Sequence, residues 1–125
     1  VFYYFQKQIK QSNIDWSIVT GGKIKKGDKV IITGASGGVG HYAVQIAKHF
    51  GAHVVAVASG GNRDFVMGLG ADEFIDYQTQ AFEELVTDAD LVHDAVWSDD
   101  VRHIERSLKA IKPGGTTAQP DRGFR

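Results

Sequence analysis

Gly34, Gly37, Gly38 and Gly40 crowd the stretch "TGASGGVG" between an apolar run and a helical pattern. Glycine loses more backbone freedom on folding than any other residue. Such a cluster therefore marks a tight turn or a place where something must approach the backbone closely. The chemistry it suits is phosphate binding. The first N–H groups of a helix have no intrahelical partner, and the macrodipole adds partial positive charge at the same end. Gly37 removes the side chain that would hold a pyrophosphate away, and Gly40 lets the helix lie tightly on its neighbour. Ala35 occupies the position of the first glycine in G-x-G-x-x-G. The flanking strand and helix supply the context that this weak motif needs, so a dinucleotide site is expected here against the alternative of a structural turn.

The elements around the turn follow from hydrophobic period. "VIIT" (Val30 to Thr33) and "HVVAVA" (His53 to Ala58) are short continuous apolar runs, the mark of strands buried on both faces. Between them Val39, Ala43, Val44, Ile46, Ala47 and Phe50 recur at helical spacing, with His41, Gln45, Lys48 and His49 opposite, and Gly51 is a stop signal. Asn62 to Leu69 reads as a short helix closed by Gly70. "EFID" is a third strand, Phe82, Leu85 and Val86 mark a third helix, and "LVHDAV" (Leu91 to Val96) is a fourth strand. Val101, Ile104, Leu108 and Ile111 give a further helical stripe that "KPGG" is expected to end. A fifth strand is only a stub at Thr116 to Ala118. Strands alternating with helices predict an α/β fold, a doubly wound parallel sheet of Rossmann type. The aromatic-rich opening, "VFYYFQKQIKQSNIDWSIV", predicts a lead-in helix. With the turn-rich linker after it, it forms a first segment over 1–26, and the sheet occupies 27–125, incomplete at its C-terminal side.

Bulk properties narrow the function. The 125 residues carry 14 basic and 15 acidic side chains, a net charge of -1, which leaves no footprint for nucleic acid or an anionic membrane. The chain has no cysteine, so neither disulfides nor thiolate metal sites arise, in keeping with a cytoplasmic location. No apolar stretch is long enough to span a membrane. The start at Val1 and the ending "TTAQPDRGFR" suggest a piece of a longer protein.

"IKKGDKVIITGASGGVGHYAVQIAKHFGAHVVAVAS", "LGADEFIDY" and "ERSLKAIKPGG" together resemble the medium-chain dehydrogenase/reductase superfamily, closest to its zinc-independent quinone oxidoreductases. The resemblance spans about Lys23 to Gly115. It implies a nucleotide-binding domain beside a larger catalytic domain, and NAD(P)H-dependent reduction of a quinone or an activated C=C or C=O bond. It puts the pyrophosphate on Ser36, Gly37, Gly38 and Val39. It puts the adenosine end near Ser59, Asn62, Arg63 and Tyr77, and the nicotinamide half near Ala95 and Val96. The family's lysine near Gly61 is missing, and "VWS" (Val96 to Ser98) stands where "VGG" is common. The small-molecule substrate would be of the quinone or enone class, the full-length protein a homodimer, and the isolated chain inactive. No catalytic residue is assigned.

Cofactor choice turns on the end of "HVVAVAS". An NAD-specific fold places an acid there to accept the ribose 2′-OH, whereas "ASGGNR" has none before Asp64. Ser59 and Arg63 would welcome a 2′-phosphate, so NADP(H) is expected. The bland reading makes Arg63 a solvated helix residue and Tyr77 an aromatic at the edge of the core. Bland readings prevail elsewhere. Lys23, Lys25, Lys26 and Lys29 are a solvated loop, and Glu83, Glu84, Asp99 and Asp100 are solvated helix-end charges. His49 and His53 straddle Gly51 and make no metal pair, and His93 is a hydrogen-bonded structural histidine beside Asp94.

Two alternatives stay open. Thr33-Gly34-x-x-x-Gly38-x-Gly40 also fits the short-chain dehydrogenases, but the Tyr-x-x-x-Lys they need occurs only at Tyr3 and Lys7, upstream of the glycines. The other is a nucleotide-binding module without catalytic activity.

Overall fold

The computed structural model describes residues 24–94 and 101–118. The lead-in helix expected before Lys23, together with Ala95 and Val96, lies outside the described residues. The elements are β1 (Lys29–Thr33), α1 (Gly38–His49), β2 (His53–Ala58), a 3-10 turn (Gly60–Asn62), α2 (Arg63–Gly68), β3 (Glu73–Asp76), α3 (Phe82–Leu85), β4 (Ala89–Asp94), α4 (Val101–Ala110) and β5 (Ile111–Ala118). The strands form one parallel sheet in the order β3-β2-β1-β4-β5. The order reverses at β1, which pairs with β2 on one side and β4 on the other. This is the doubly wound α/β topology expected from the alternation of strands and helices, with its switch point beside the glycine turn.

Alternation along each strand divides the core between two faces. Val30, Ile32, Val54, Ala56, Ala58 and Leu91 pack with Ala43, Val44 and Ala47 of α1 and Val66 of α2. Ile31, Val55, Val57, Ile75 and Val92 pack with Phe82 of α3 and Ala110 of α4. Small residues on the inner sides of α1 and α4 let both helices approach the sheet closely.

The structure corrects several details of the sequence reading. "KPGG" does not end a helix; it lies inside β5, whose full extent replaces the expected stub. Ala89 pairs with Ile111 and Leu91 with Thr116, so β5 spends more residues than β4 over the same length. The surplus forms a bulge, with Gly114 at φ +85°. A Cβ on Gly115 would press on the Ala89 and Asp90 carbonyl oxygens, 3.1 Å away. Ile111 therefore opens a strand instead of closing the α4 stripe. Leu108 is exposed, and Ser107 and Ala110 face inward in its place. On α1, Gln45 is buried, its amide donating to the His41 carbonyl at 3.2 Å, while Phe50, at the helix C-cap, is exposed.

His93 is buried in β4, as expected, but its ring lacks the expected bond. Neither ring nitrogen has a partner among the described residues. Neighbouring strand residues point to opposite faces, so Asp94 turns away from it. The Asp94 carboxylate accepts from the Thr33 hydroxyl at 2.7 Å on the face of α3 and α4. Burial pushes the His93 imidazole below its ordinary 6.5, against the opposing pull of Asp94.

Candidate functional site

β1 delivers the chain to Thr33, and Gly34 then turns it at φ +62°, a conformation that side chains disfavour. The turn is fixed from within: Ala35 N–H donates to the Val57 carbonyl at 3.1 Å and Gly37 N–H to the Gly34 carbonyl at 3.0 Å. Gly37 is the N-cap of α1 and, lacking a side chain, makes no side-chain cap bond. The N–H groups of Gly38 and Val39 come next, at the helix start where the residues four back lie outside the helix. Nothing lies within 4 Å of where a Cβ on Gly38 would project. At Gly40 the reverse holds: a Cβ would overlap the Gly34 carbonyl, so this glycine lets the helix seat on the turn. The spacing legible in sequence thus yields an uncapped helix start open to an anion and a glycine contact behind it.

In front of the turn lies a cleft of about 710 Å³. Its floor is the C-terminal ends of β1 and β2, at Thr33, Val57 and Ala58; Ser36 and Gly37 close one side, and Tyr77 to Glu83 with Arg106 close the other. Ser59 and Tyr77, both expected site residues, line it. Tyr77 is 60% exposed, a ring standing at the cleft edge and not buried in the core. Ser59 accepts from the Asn62 amide at 2.8 Å, so Asn62 acts on the cleft through Ser59.

Arg63 is placed differently. Its guanidinium lies 5.8 Å from the Phe74 ring centroid. Phe74 packs with the α1 and α2 cluster, as Ala58 of the cleft floor does, whereas Val57 and Phe82 of the cleft belong to the other cluster, and Arg63 is not among the cleft-lining residues. The wall also contains residues that the sequence did not single out. Glu83, expected as a solvated charge, is only 14% exposed and faces Arg106, with Nε to Oε1 at 3.6 Å. Asp76, at the end of β3, sets its carboxylate against Gly60 and accepts from Gln78 N–H at 2.9 Å. The "IDY" motif pointed to Tyr77; nothing local marks Glu83 or Arg106, which meet only through the packing of α3 on α4.

Two elements of the site fit a dinucleotide. The open N-terminus of α1 suits a pyrophosphate. The adjoining concavity, with apolar Val57 and Phe82 beside the polar Ser59 and Tyr77, has the size and mixed lining of a ligand pocket.

Residues 38–119 match the model of a family described as zinc-binding dehydrogenase. A chloroplastic quinone-oxidoreductase homolog of Spinacia oleracea is 51% identical over 97 residues, covering 70% of this chain and 30% of that protein. A 2-methylene-furan-3-one reductase of Solanum lycopersicum is 39% identical over 92 residues, covering 72% of this chain and 22% of its own length. The solved quinone oxidoreductase of Coxiella burnetii superposes with a TM-score of 0.68 at 32% identity, over 83% of this chain and 34% of that one. The chain therefore spans about a third or less of each of these relatives.

Proposed function

The chain belongs to the zinc-binding dehydrogenase family, among the quinone-oxidoreductase-like medium-chain dehydrogenase/reductases, and we propose that it is the dinucleotide-binding part of an NADP(H)-dependent reductase of quinones or activated C=C and C=O bonds. The observation that carries this reading is the uncapped α1 N-terminus opening on the cleft. Ser36, Gly37, Gly38 and Val39 would hold the pyrophosphate, Ser59 and Tyr77 the adenosine half, and Ala95 and Val96 would border the nicotinamide. A bound nicotinamide supplies hydride for an electron-poor carbon. The chain's own residues bind and orient it: backbone N–H groups fix the phosphates, and the Tyr77 ring offers an apolar surface to the adenosine. The substrate class draws on the names of the spinach, tomato and Coxiella proteins.

The preference for NADP(H) is supported by the end of β2, where Ser59 stands in place of an acid. A second reading, NAD(H), draws on Asp76 of the next strand, whose carboxylate fills the space where a side chain on Gly60 would project. Calorimetric titration of the chain with NADPH and NADH decides between them, the first reading requiring tighter NADPH binding. Gly37→Val tests the site itself. The φ of -80° at Gly37 is open to side chains, but a new Cβ would meet the Gly34 carbonyl oxygen at 3.3 Å, a tight contact with backbone, so unfolding of the variant is followed beside its binding. Binding of both dinucleotides should be abolished in a variant that still unfolds cooperatively. An affinity kept within about twofold, a difference of only about 0.4 kcal/mol, would overturn the assignment.

A further inference from the structure

His93 stands outside the cleft, yet the next residue on β4 is tied to the cleft floor. His93 and Asp94 face opposite sides of the sheet. Asp94 accepts from the hydroxyl of Thr33, its register partner on β1 and a cleft-lining residue. His93 pairs in register with Ile32 of β1 and Ala118 of β5. Ile32 and Leu91 belong to the cluster to which α1 gives Ala43, Val44 and Ala47, and α2 gives Val66 and Leu69. The titratable side chains of those two helices are engaged elsewhere. His41 turns to the Phe65 ring, His49 lies edge-on to Phe50, Lys48 pairs with Asp72, and Arg63 lies over Phe74. Asp64 is exposed. Among the described residues, Asp94 is the charged group that bears on the imidazole.

An imidazolium at this position would carry two N–H donors with no described acceptor beside either nitrogen. A buried charge without partners is far costlier than a buried neutral ring. The chain relieves that cost by a local opening that brings the ring to water. His93 cannot make the move alone, because the residue after it is bonded to Thr33. We infer that His93 is a proton-operated release switch: once it is charged, the C-terminal end of β4 parts from β1, the bond from Thr33 to Asp94 breaks, and the cleft lets go of its dinucleotide. The inference rests on the dinucleotide reading given above. Ligand and proton favour different states of one element, the end of β4. Their competition is reciprocal. Bound ligand makes His93 harder to protonate by the same factor by which the proton weakens the ligand.

The test is calorimetric titration of the full chain with NADP+ at a series of pH values. The 2′-phosphate of this probe titrates too, so the reading is the difference between the unmutated chain and His93→Leu, which share that contribution. At pH 7.5 the two should bind within about twofold of each other. By pH 5 the unmutated chain should be the weaker binder by about threefold or more, with a slope below the roughly tenfold per pH unit that one linked proton allows. In buffers of different ionisation enthalpy near pH 5.5, binding should release more protons from the unmutated chain than from the variant. The ring signal of His93 in nuclear magnetic resonance gives a check that needs no variant: saturating NADP+ should move its titration midpoint to lower pH. Matching pH profiles in the two chains, or a His93 midpoint that NADP+ leaves in place, overturns the inference while sparing the dinucleotide reading. A difference in affinity that is the same at every pH marks a merely structural role and overturns it as well. An unmutated chain that does not bind NADP+ at pH 7.5 defeats both.

Discussion

His93 is 2% exposed, and both of its ring nitrogens are buried without a partner among the described residues. By strand alternation it shares the face of Leu91, which packs in the α1 and α2 cluster. A buried polar group left unpaired costs about 1–3 kcal/mol, whereas an apolar group of similar shape avoids that cost. His93→Leu should therefore stabilise the chain by about 1–2 kcal/mol in urea unfolding. The pH dependence has a definite sign. The folded imidazole is harder to protonate than the unfolded one, so between the two pKa values the unfolded chain binds more protons. Stability from this residue is complete above about pH 6.5 and falls as the solution becomes more acidic. His93→Leu should flatten that part of the profile, and an unchanged slope below pH 6.5 would remove His93 as its cause. The adjacent letters "HD" suggested a hydrogen bond, but neighbours along a strand face opposite ways. Only the identity of the strand, not the pairing of letters, was legible there.

At the scale of elements, the seat of α1 depends on one missing atom. A Cβ at Gly40 would overlap both the oxygen and the carbon of the Gly34 carbonyl, which are backbone atoms with little room to yield. Gly40→Ala should push the helix off the turn and destabilise the chain by about 1–3 kcal/mol, the usual cost of overpacking. It should weaken dinucleotide binding as well, because the displaced helix carries the phosphate-facing N–H groups. Denaturant unfolding and NADPH titration of the same variant check both; a variant of normal stability with normal affinity would show that the helix adapts. This contact was readable from glycine spacing because the strand, turn and helix are contiguous. So were β1, β2 and β4, since strands covered on both faces write largely apolar runs. The bulge in β5 was not readable, because Pro113, Gly114 and Gly115 spell a helix stop until β4 is there to pair with. The Glu83 and Arg106 wall was equally hidden: β4 separates α3 from α4 in sequence, no local pattern pairs the two side chains, and their meeting is a product of packing alone.

For the whole molecule, the arrangement of the sheet makes β1 the hub. Its pairing with β2 closes over α1 alone, while its pairing with β4 spans 61 residues, the separation of Thr33 from Asp94. The cleft draws on both: the phosphate turn sits between β1 and β2, and the Thr33 hydroxyl on the floor is held by Asp94. The wall at Glu83 and Arg106 depends on α3 and α4, which flank β4 in sequence. Seen as a sequence of events in time, this is a site assembled in two stages. Loop-closure entropy favours the near pairing first and delays the distant one. The unit of β1, α1 and β2 should gain structure early, and the ability to capture ligand should come last. In refolding from urea, far-UV circular dichroism should recover a large part of its amplitude before NADPH fluorescence enhancement appears, with the binding signal following the slowest phase. Recovery of both signals together would mean that the distant strand is in place from the outset. A nascent chain would then carry its phosphate turn for some time before it could hold a cofactor, and the cofactor would act on the finished fold as a lock on its last-formed contact.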